Sequence, residues 1–211
     1  MADGVPPIPN LIQLCTAPQA TLDACLRPLL NPVPRSLQPT AGRPAAVLLA
    51  FQWQADSWHV IMTERARHLS NHAGQISFPG GKVDANDASL TATALREAEE
   101  EIALPPDLVE ILGALDTVTS PVGFVVQPIV GRVTASAGAV PLMPAPDEVE
   151  QILSFPVSHV LDQAHHRQDS YLRDGQRRDV WIIDHPDHYL WGMSARILVD
   201  LSQRLIAHST R

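Results

Sequence analysis

The chain has 211 residues, of which 45% are hydrophobic and 18% charged, and a formal net charge of -8. That is enough for one substantial core and excludes a largely disordered chain. The acidic excess argues against a broad phosphate-tracking surface, so no nucleic acid partner is expected.

Residues 1–43 read as an extension to the main domain. "APQATLDACLRPLL" fits a helix with Leu22, Cys25, Leu26 and Leu29 on one side, ended by Asn31 and Pro32. "NPVPRSLQPTAGRP" has too many prolines for a helix or an interior strand and reads as a wrapped segment or linker. It could lie on its own domain or reach across a homodimer. Cys15 and Cys25 are too few for a disulfide framework and lack histidines at zinc-site spacing, so plain thiols in a reducing compartment are expected.

"AAVLLAFQW" and "WHVIMTE" read as strands joined by a hairpin turn at "QADS". "EILGALD" and "FVVQPIVGRV" are further strands. "VEQILSFPVSHVLD" predicts a short strand and a short helix, with Pro156 near the join. "DSYLRD" and "RDVWIIDH" predict a second hairpin across Gly175. "WGMSARILVDLSQRLIAH" fits a final amphipathic helix, with Ile197, Leu198, Leu201 and Leu205 on its apolar side. Helices interspersed with mixed strands indicate an α+β or αβα sandwich. No leader opens "MADGVPPIPN", no apolar run reaches membrane-span length, and "AHSTR" carries no lipidation signal. A cytoplasmic protein with no membrane partner is expected.

Between the strand groups lies "GQISFPGGKVDANDASLTATALREAEEEIAL", residues 74–104. Ser89 suits an N-cap, and the helix is predicted over Leu90 to Ile102. Glu97, Glu100 and Glu101 then share one face, while Leu95, Ala98 and Ile102 lie on a core-facing side. Like charges at i and i+4 repel, as Glu97 and Glu101 must. A cluster of hard oxygen donors suits Mg2+ or Mn2+, which could bridge it to a phosphate. Read from spacing alone, the run also fits a solvated helix face. Gly80 and Gly81 allow a close backbone approach just before it.

This stretch resembles the signature box of the Nudix hydrolases. Gly81 opens the match, and Arg96, Glu97, Ala98, Glu100, Glu101 and Leu104 fit its later part. Asp87 stands where the first glutamate is expected, one extra residue precedes Arg96, and Ala103 replaces the late glycine. The first two departures are similar to those of the coenzyme A pyrophosphatase subgroup. "MTERARHLSNHAGQISFPGG" resembles that subgroup's upstream segment through Thr63, Arg65, Leu69, His72, Gly74 and Gln75, followed by Phe78, Pro79, Gly80 and Gly81. "TVTSPVGFVVQPIVG", "PDEVEQILSFPVSHVL" and "YLWGMSARIL" resemble its later parts, so the likeness spans roughly residues 44 to 200.

The resemblance implies the Nudix αβα sandwich, α+β with a central mixed β-sheet, over residues 44–211 including the C-terminal helix. It implies metal-dependent hydrolysis of the diphosphate of coenzyme A, giving adenosine 3',5'-bisphosphate and 4'-phosphopantetheine. Mg2+ or Mn2+ would be held by Glu97, Glu100 and Glu101. Glu100, Glu101 and the later Glu148 are the candidate catalytic carboxylates, with Glu150 as the alternative base. Arg96 is expected to form a structural salt bridge. Arg65, His72, Gln75, Gly80, Gly81 and Lys82 are expected to bind substrate or support the site. Phe78 is expected to pack the turn, and Trp191 and Met193 to anchor the final helix. A pyrophosphatase for ADP-ribose or NADH, and a non-catalytic nucleotide- or protein-binding domain, are the alternatives.

Overall fold

The computed structural model describes residue 15 and residues 19–33, 42–70, 72–135, 141–173 and 175–209. Chain order runs α1 (Gln19–Leu26), β1 (Arg43–Gln54), β2 (Ser57–Arg65), β3 (Ile76–Ser77), β4 (Gly80–Lys82) and α2 (Leu90–Ile102). It continues through β5 (Val109–Ala114), β6 (Val118–Thr119), β7 (Phe124–Val133), β8 (Val149–Pro156) and α3 (Val157–Val160). β9 (His166–Arg173), β10 (Gln176–Asp184), β11 (Tyr189–Trp191) and α4 (Gly192–Ser209) complete it.

The main sheet is mixed. β1 pairs with β7 in parallel, and the other pairings in the sheet are antiparallel. β1 and β2 pair near their hairpin, from Ala50–Ile61 to Gln54–Ser57, around a turn in which Ala55 and Asp56 both have positive φ. Beyond that, β1 turns to β4 and β2 turns to β3. The segment from Ile76 to Lys82 therefore fills the gap where the two strands part. Leu48 N–H donates to Pro79 O at 2.8 Å and helps hold it there. A second, antiparallel sheet has the order β11-β10-β9.

Strand alternation sorts the core into two layers. Ala46, Leu48 and Ala50 of β1 cluster with Ala94, Ala98 and Ile102 of α2. Leu49 and Phe51 cluster with Leu22 and Leu26 of α1 and with Leu198 and Leu201 of α4. The result is an α+β sandwich with a central mixed sheet between helices. Buried Arg132 ties α1 to the sheet, pairing with Asp23 at 2.8 Å and with Glu110. Asn31 bridges to Ala114 by two backbone hydrogen bonds of 2.8 and 3.0 Å. Cys15 and Cys25 are buried free thiols. No helix among the described residues is long and apolar enough to cross a membrane.

The acidic helix begins and ends where its sequence predicts. The Ser89 hydroxyl accepts from Ala92 N–H at 3.1 Å. Ala103 closes it at φ 54, ψ 34, with Ala103 N–H on Glu99 O and Leu104 N–H on Ala98 O. This is the left-handed cap that glycine usually provides, so alanine does not displace the helix exit. The conformation costs an L-residue about 1–2 kcal/mol, and glycine gives back about 0.4–1 kcal/mol in unfolded-chain entropy. A103G should therefore raise stability by about 0.5–1 kcal/mol in calorimetry. A loss of stability would show that the cap is not strained.

Candidate active site

α2 presents its carboxylates to a cleft of about 1260 Å³, and β4 runs alongside. Glu97, Glu100, Glu101 and Glu148 all line this cleft, as do Arg65, His72, Gln75, Gly80, Gly81 and Lys82. Of the residues singled out as catalytic, metal or substrate contacts, all but the alternative base Glu150 therefore line one space. Glu150 does not line it and instead accepts from Arg67 N–H at 3.4 Å.

The glycine turn fits closely against the helix. Gly80 N–H donates to Glu101 Oε2 at 3.3 Å. A methyl group at Gly81 would stand 2.4 Å from Glu97 Oε1. Glycine at 81 thus leaves the room that the Glu97 carboxylate occupies.

Arg96 joins the loop to the helix. It meets Asp87 at 3.0 Å, Glu97 at 3.0 Å and Glu100 at 2.7 Å, and donates to Lys82 O at 3.1 Å. Asp87 also accepts from Asp84 N–H and Thr93 Oγ1, each at 2.8 Å. The hydrogen bond from Arg96 leads in holding the Asp87 carboxyl down to about 2. The departure at Asp87 thus has a structural account: the shorter acid fastens the loop to Arg96 and to the first turns of α2.

The two inner glutamates are both raised above the usual carboxylate range. Burial pushes the Glu101 carboxyl up to about 8, reinforced by repulsion from Glu97 and Glu148. Burial also raises Glu97, with repulsion from Glu100 and Glu148 added and Arg96 opposing. Glu101 forms no ion pair of 4.0 Å or less with a basic side chain among the described residues. An oxygen-only donor set that resists its own negative charge fits a hard divalent cation. Among the described residues, however, no three His, Cys, Asp or Glu side chains are gathered in metal-holding geometry. Arg96 engages both Glu97 and Glu100.

Glu148 arrives from far along the chain. Met143 N–H donates to Ile102 O at 3.1 Å and Ala145 N–H to Glu101 O at 2.9 Å, docking its loop on the end of α2. Ala66 N–H donates to Glu148 O at 2.9 Å, and the Glu148 carboxylate lies 4.0 Å from Arg65. His72, at φ 61, shares a 2.7 Å hydrogen bond with Gln75 Oε1 in the turn leading to β3. Phe78 is buried in the main core, as its apolar side chain predicts.

Some of the cleft was not foreseen. Phe124 lines it, with Arg43 4.0 Å and Lys82 5.9 Å from its ring centre. Trp191 and Met193, expected only as anchors for the final helix, also line the cleft, although Met193 packs against the main core too. Their WGM spacing carries no periodicity that separates a cleft wall from a core.

The family model for the NUDIX domain matches residues 42–175. The fold, the glycine turn and the acidic helix agree with that match, and the chain belongs to the Nudix hydrolase family. Family membership implies dependence on a divalent metal. The chain is 40% identical over 146 residues to the "Uncharacterized Nudix hydrolase NudL" of Salmonella newport (strain SL254), covering 69% of this chain and 74% of that protein. The NudL of Salmonella agona (strain SL483) matches equally. Among solved structures, a MutT/nudix family protein from Enterococcus faecalis aligns with TM-score 0.49 and 17% identity, over 90% of this chain and 70% of that one. The NUDIX domain of Shewanella oneidensis NrtR, solved with ADP ribose, aligns with TM-score 0.45 and 22% identity, over 58% of this chain and 78% of that one.

Proposed function

We propose that this Nudix hydrolase cleaves the diphosphate of coenzyme A or its derivatives, releasing adenosine 3',5'-bisphosphate and 4'-phosphopantetheine or its acyl form. The family match supports the wider activity, hydrolysis of a nucleoside diphosphate derivative. One observation favours the narrower reading. The segment from Thr63 to Gly81, whose motif resembles the coenzyme A subgroup, lines the same cleft as the box glutamates through Arg65, His72, Gln75 and Gly80.

Glu97, Glu100 and Glu101 are the residues that would hold Mg2+ or Mn2+. Such a cation, when bound, neutralises diphosphate charge and makes water more acidic. Arg96 takes one carboxylate oxygen of each of Glu97 and Glu100 and also bonds to Asp87 and to Lys82 O. Lys82 and Arg65 line the cleft where the diphosphate charge accumulates. In the reaction, water oxygen bonds to one phosphorus and the bridging P–O bond breaks. Its electron pair leaves with the other phosphate. Glu148 is the candidate to take the water proton, because it faces the cleft and is exposed. Glu100 is the alternative.

Mass spectrometry of products tests the reading. The full-length protein is incubated with coenzyme A and Mg2+, with and without chelator, beside ADP-ribose and NADH. Metal-dependent release of the two coenzyme A fragments, faster than cleavage of the controls, is expected. Faster cleavage of ADP-ribose or NADH would retain the metal chemistry and overturn the substrate. No cleavage of any, with Mn2+ also tried on folded protein, would favour a non-catalytic binding domain.

A further inference from the structure

Beyond the four glutamates, Asp116, Asp179 and Asp200 also line the cleft, against Arg65, Lys82 and Arg196 as cationic side chains. Carboxylates therefore outnumber cations on its described walls, in a chain of net charge -8. A diphosphate entering such a space is repelled unless the acids are neutralised. On α2, Arg96 meets two of the glutamates, and the same glutamates are those that would hold a divalent cation. Asp116 and Asp200 belong to other elements, the loop from β5 to β6 and the helix α4.

One arginine serves both. Arg204 donates to Asp116 Oδ2 at 2.6 Å and to Asp200 Oδ2 at 2.9 Å, and its third nitrogen donates to Leu29 O at 3.1 Å. Asn31 Nδ2 donates to the other Asp116 oxygen at 2.7 Å. Arg204 does not itself line the cleft, and its side chain is only 21% exposed. Its charge therefore acts through the two carboxylates rather than by contact with a ligand. The segment that holds it is anchored separately. Asn31 exchanges backbone hydrogen bonds with Ala114, and a methyl group at Gly113 would stand 2.7 Å from Leu30 Cβ. Leu29, Asn31, Asp200 and Arg204 all lie outside residues 42–175, which the family model matches. The arrangement is supplied by the segments that flank that match.

We infer that Arg204 is a positioning residue for an anionic substrate: it holds Asp116 and Asp200 and offsets their charge, so that this side of the cleft admits a nucleoside diphosphate. This rests on the reading of the cleft as a nucleoside-diphosphate site, and it applies to coenzyme A and ADP-ribose alike. Exposed ion pairs add little to stability, but their field still acts on a nearby anion. One guanidinium fixed against two carboxylates leaves a single net negative charge where there would be two. The difference is felt within a Debye length, about 8 Å at physiological salt. Asn31, itself neutral, keeps the Asp116 carboxylate turned to Arg204.

The test measures kcat and KM for coenzyme A and ADP-ribose at fixed, saturating Mg2+, in low and in high salt. Calorimetric titration of ADP with Mg2+ reads affinity without turnover. R204Q removes the charge. It should raise KM and the ADP dissociation constant about three- to tenfold in low salt, with kcat within about twofold of wild type. The rise should shrink below about twofold in about 1 M NaCl, where the Debye length is about 3 Å. R204K keeps the charge and should recover most of the affinity. R204Q/D116N/D200N should return KM to the wild-type value or below it, because neither carboxylate remains to be offset. D116N/D200N leaves Arg204 in place and should tighten binding, which decides the matter if R204Q does not fold. Weaker or unchanged binding by D116N/D200N overturns the inference. So does an unchanged KM in folded R204Q, or a loss that neither salt nor the triple variant relieves. Each of these leaves the reading of the cleft standing. Folded wild type that cleaves neither substrate and does not bind ADP removes that reading, and the inference with it.

Discussion

E101Q should lose about three orders of magnitude in kcat/KM at saturating Mg2+, yet its metal-free form should be more stable than wild type at pH 8. The two effects share a cause. Glu101 is 8% exposed and sits beside Glu97 without an ion pair of its own among the described residues. Glutamine keeps the length and can still accept from Gly80 N–H, the 3.3 Å bond made by Glu101. It cannot supply the charge that a divalent cation requires, and loss of such electrostatic organisation costs about 10²–10³ or more in rate.

The stability gain follows from proton linkage. The folded carboxyl is raised to about 8 from 4.5. Between those values the folded protein holds a proton that the unfolded chain has released, so stability falls as pH rises. Across the whole window the loss is on the order of 3–5 kcal/mol, at 1.36 kcal/mol per pKa unit. Below that window, wild type and E101Q should melt alike in chelator. At pH 8 the variant should melt higher, and added Mg2+ should close the gap by stabilising wild type. Calorimetry from pH 4 to 8.5, with and without metal, reads this directly. A variant that melts lower at pH 8 would show that the Glu101 charge is not strained. Near-normal turnover would remove Glu101 from the metal site.

Neighbouring glycines should fail in different ways. A methyl group at Gly80 would lie 2.4 Å from Ala46 O and 2.6 Å from Val47 Cα. Both are backbone atoms of β1, whose Ala46 and Leu48 are fully buried under α2. G80A must shift a central strand, at a cost of about 3 kcal/mol or more and a fall of roughly 6–12 °C in melting temperature. A methyl at Gly81 meets the end of Glu97 instead, which a side-chain rotation can relieve. G81A should stay within about 1 kcal/mol of wild type while kcat/KM drops about a hundredfold, because the Glu97 carboxylate is displaced. Thermal melts and metal-dependent turnover of both variants separate the cases. Full activity in G81A would show that the position of Glu97 is not critical, and a stable G80A would show that β1 yields easily.

Features carried by neighbouring residues were readable from the chain. Ser89 and the apolar spacing of Ala94, Ala98 and Ile102 marked the acidic helix, because capping and helical periodicity are local. Apolar strand-forming runs on either side of a turn marked β1 and β2, and the hairpin of β9 and β10 followed from its turn at Gly175. β3, β4, β6 and β11 were not legible. They have two or three residues each, too few for periodicity to develop. Pairing with distant strands makes them strands.

The same division runs through the site. Three glutamates on one face of α2 could be counted from their spacing, and a family pattern could be matched to them. Their unequal chemistry could not be counted that way. Glu101 is buried, Glu100 is mostly exposed and Glu97 lies between, because the sheet and the glycine turn cover one edge of the helix. Glu148 enters the cleft because its loop hydrogen-bonds to the end of α2, and Trp191 because Ser194 ties α4 to Ile76. Helical spacing places side chains relative to their own axis. Desolvation and contact between distant segments depend on what the rest of the chain packs around that axis, and they set the charge and shape of this cleft.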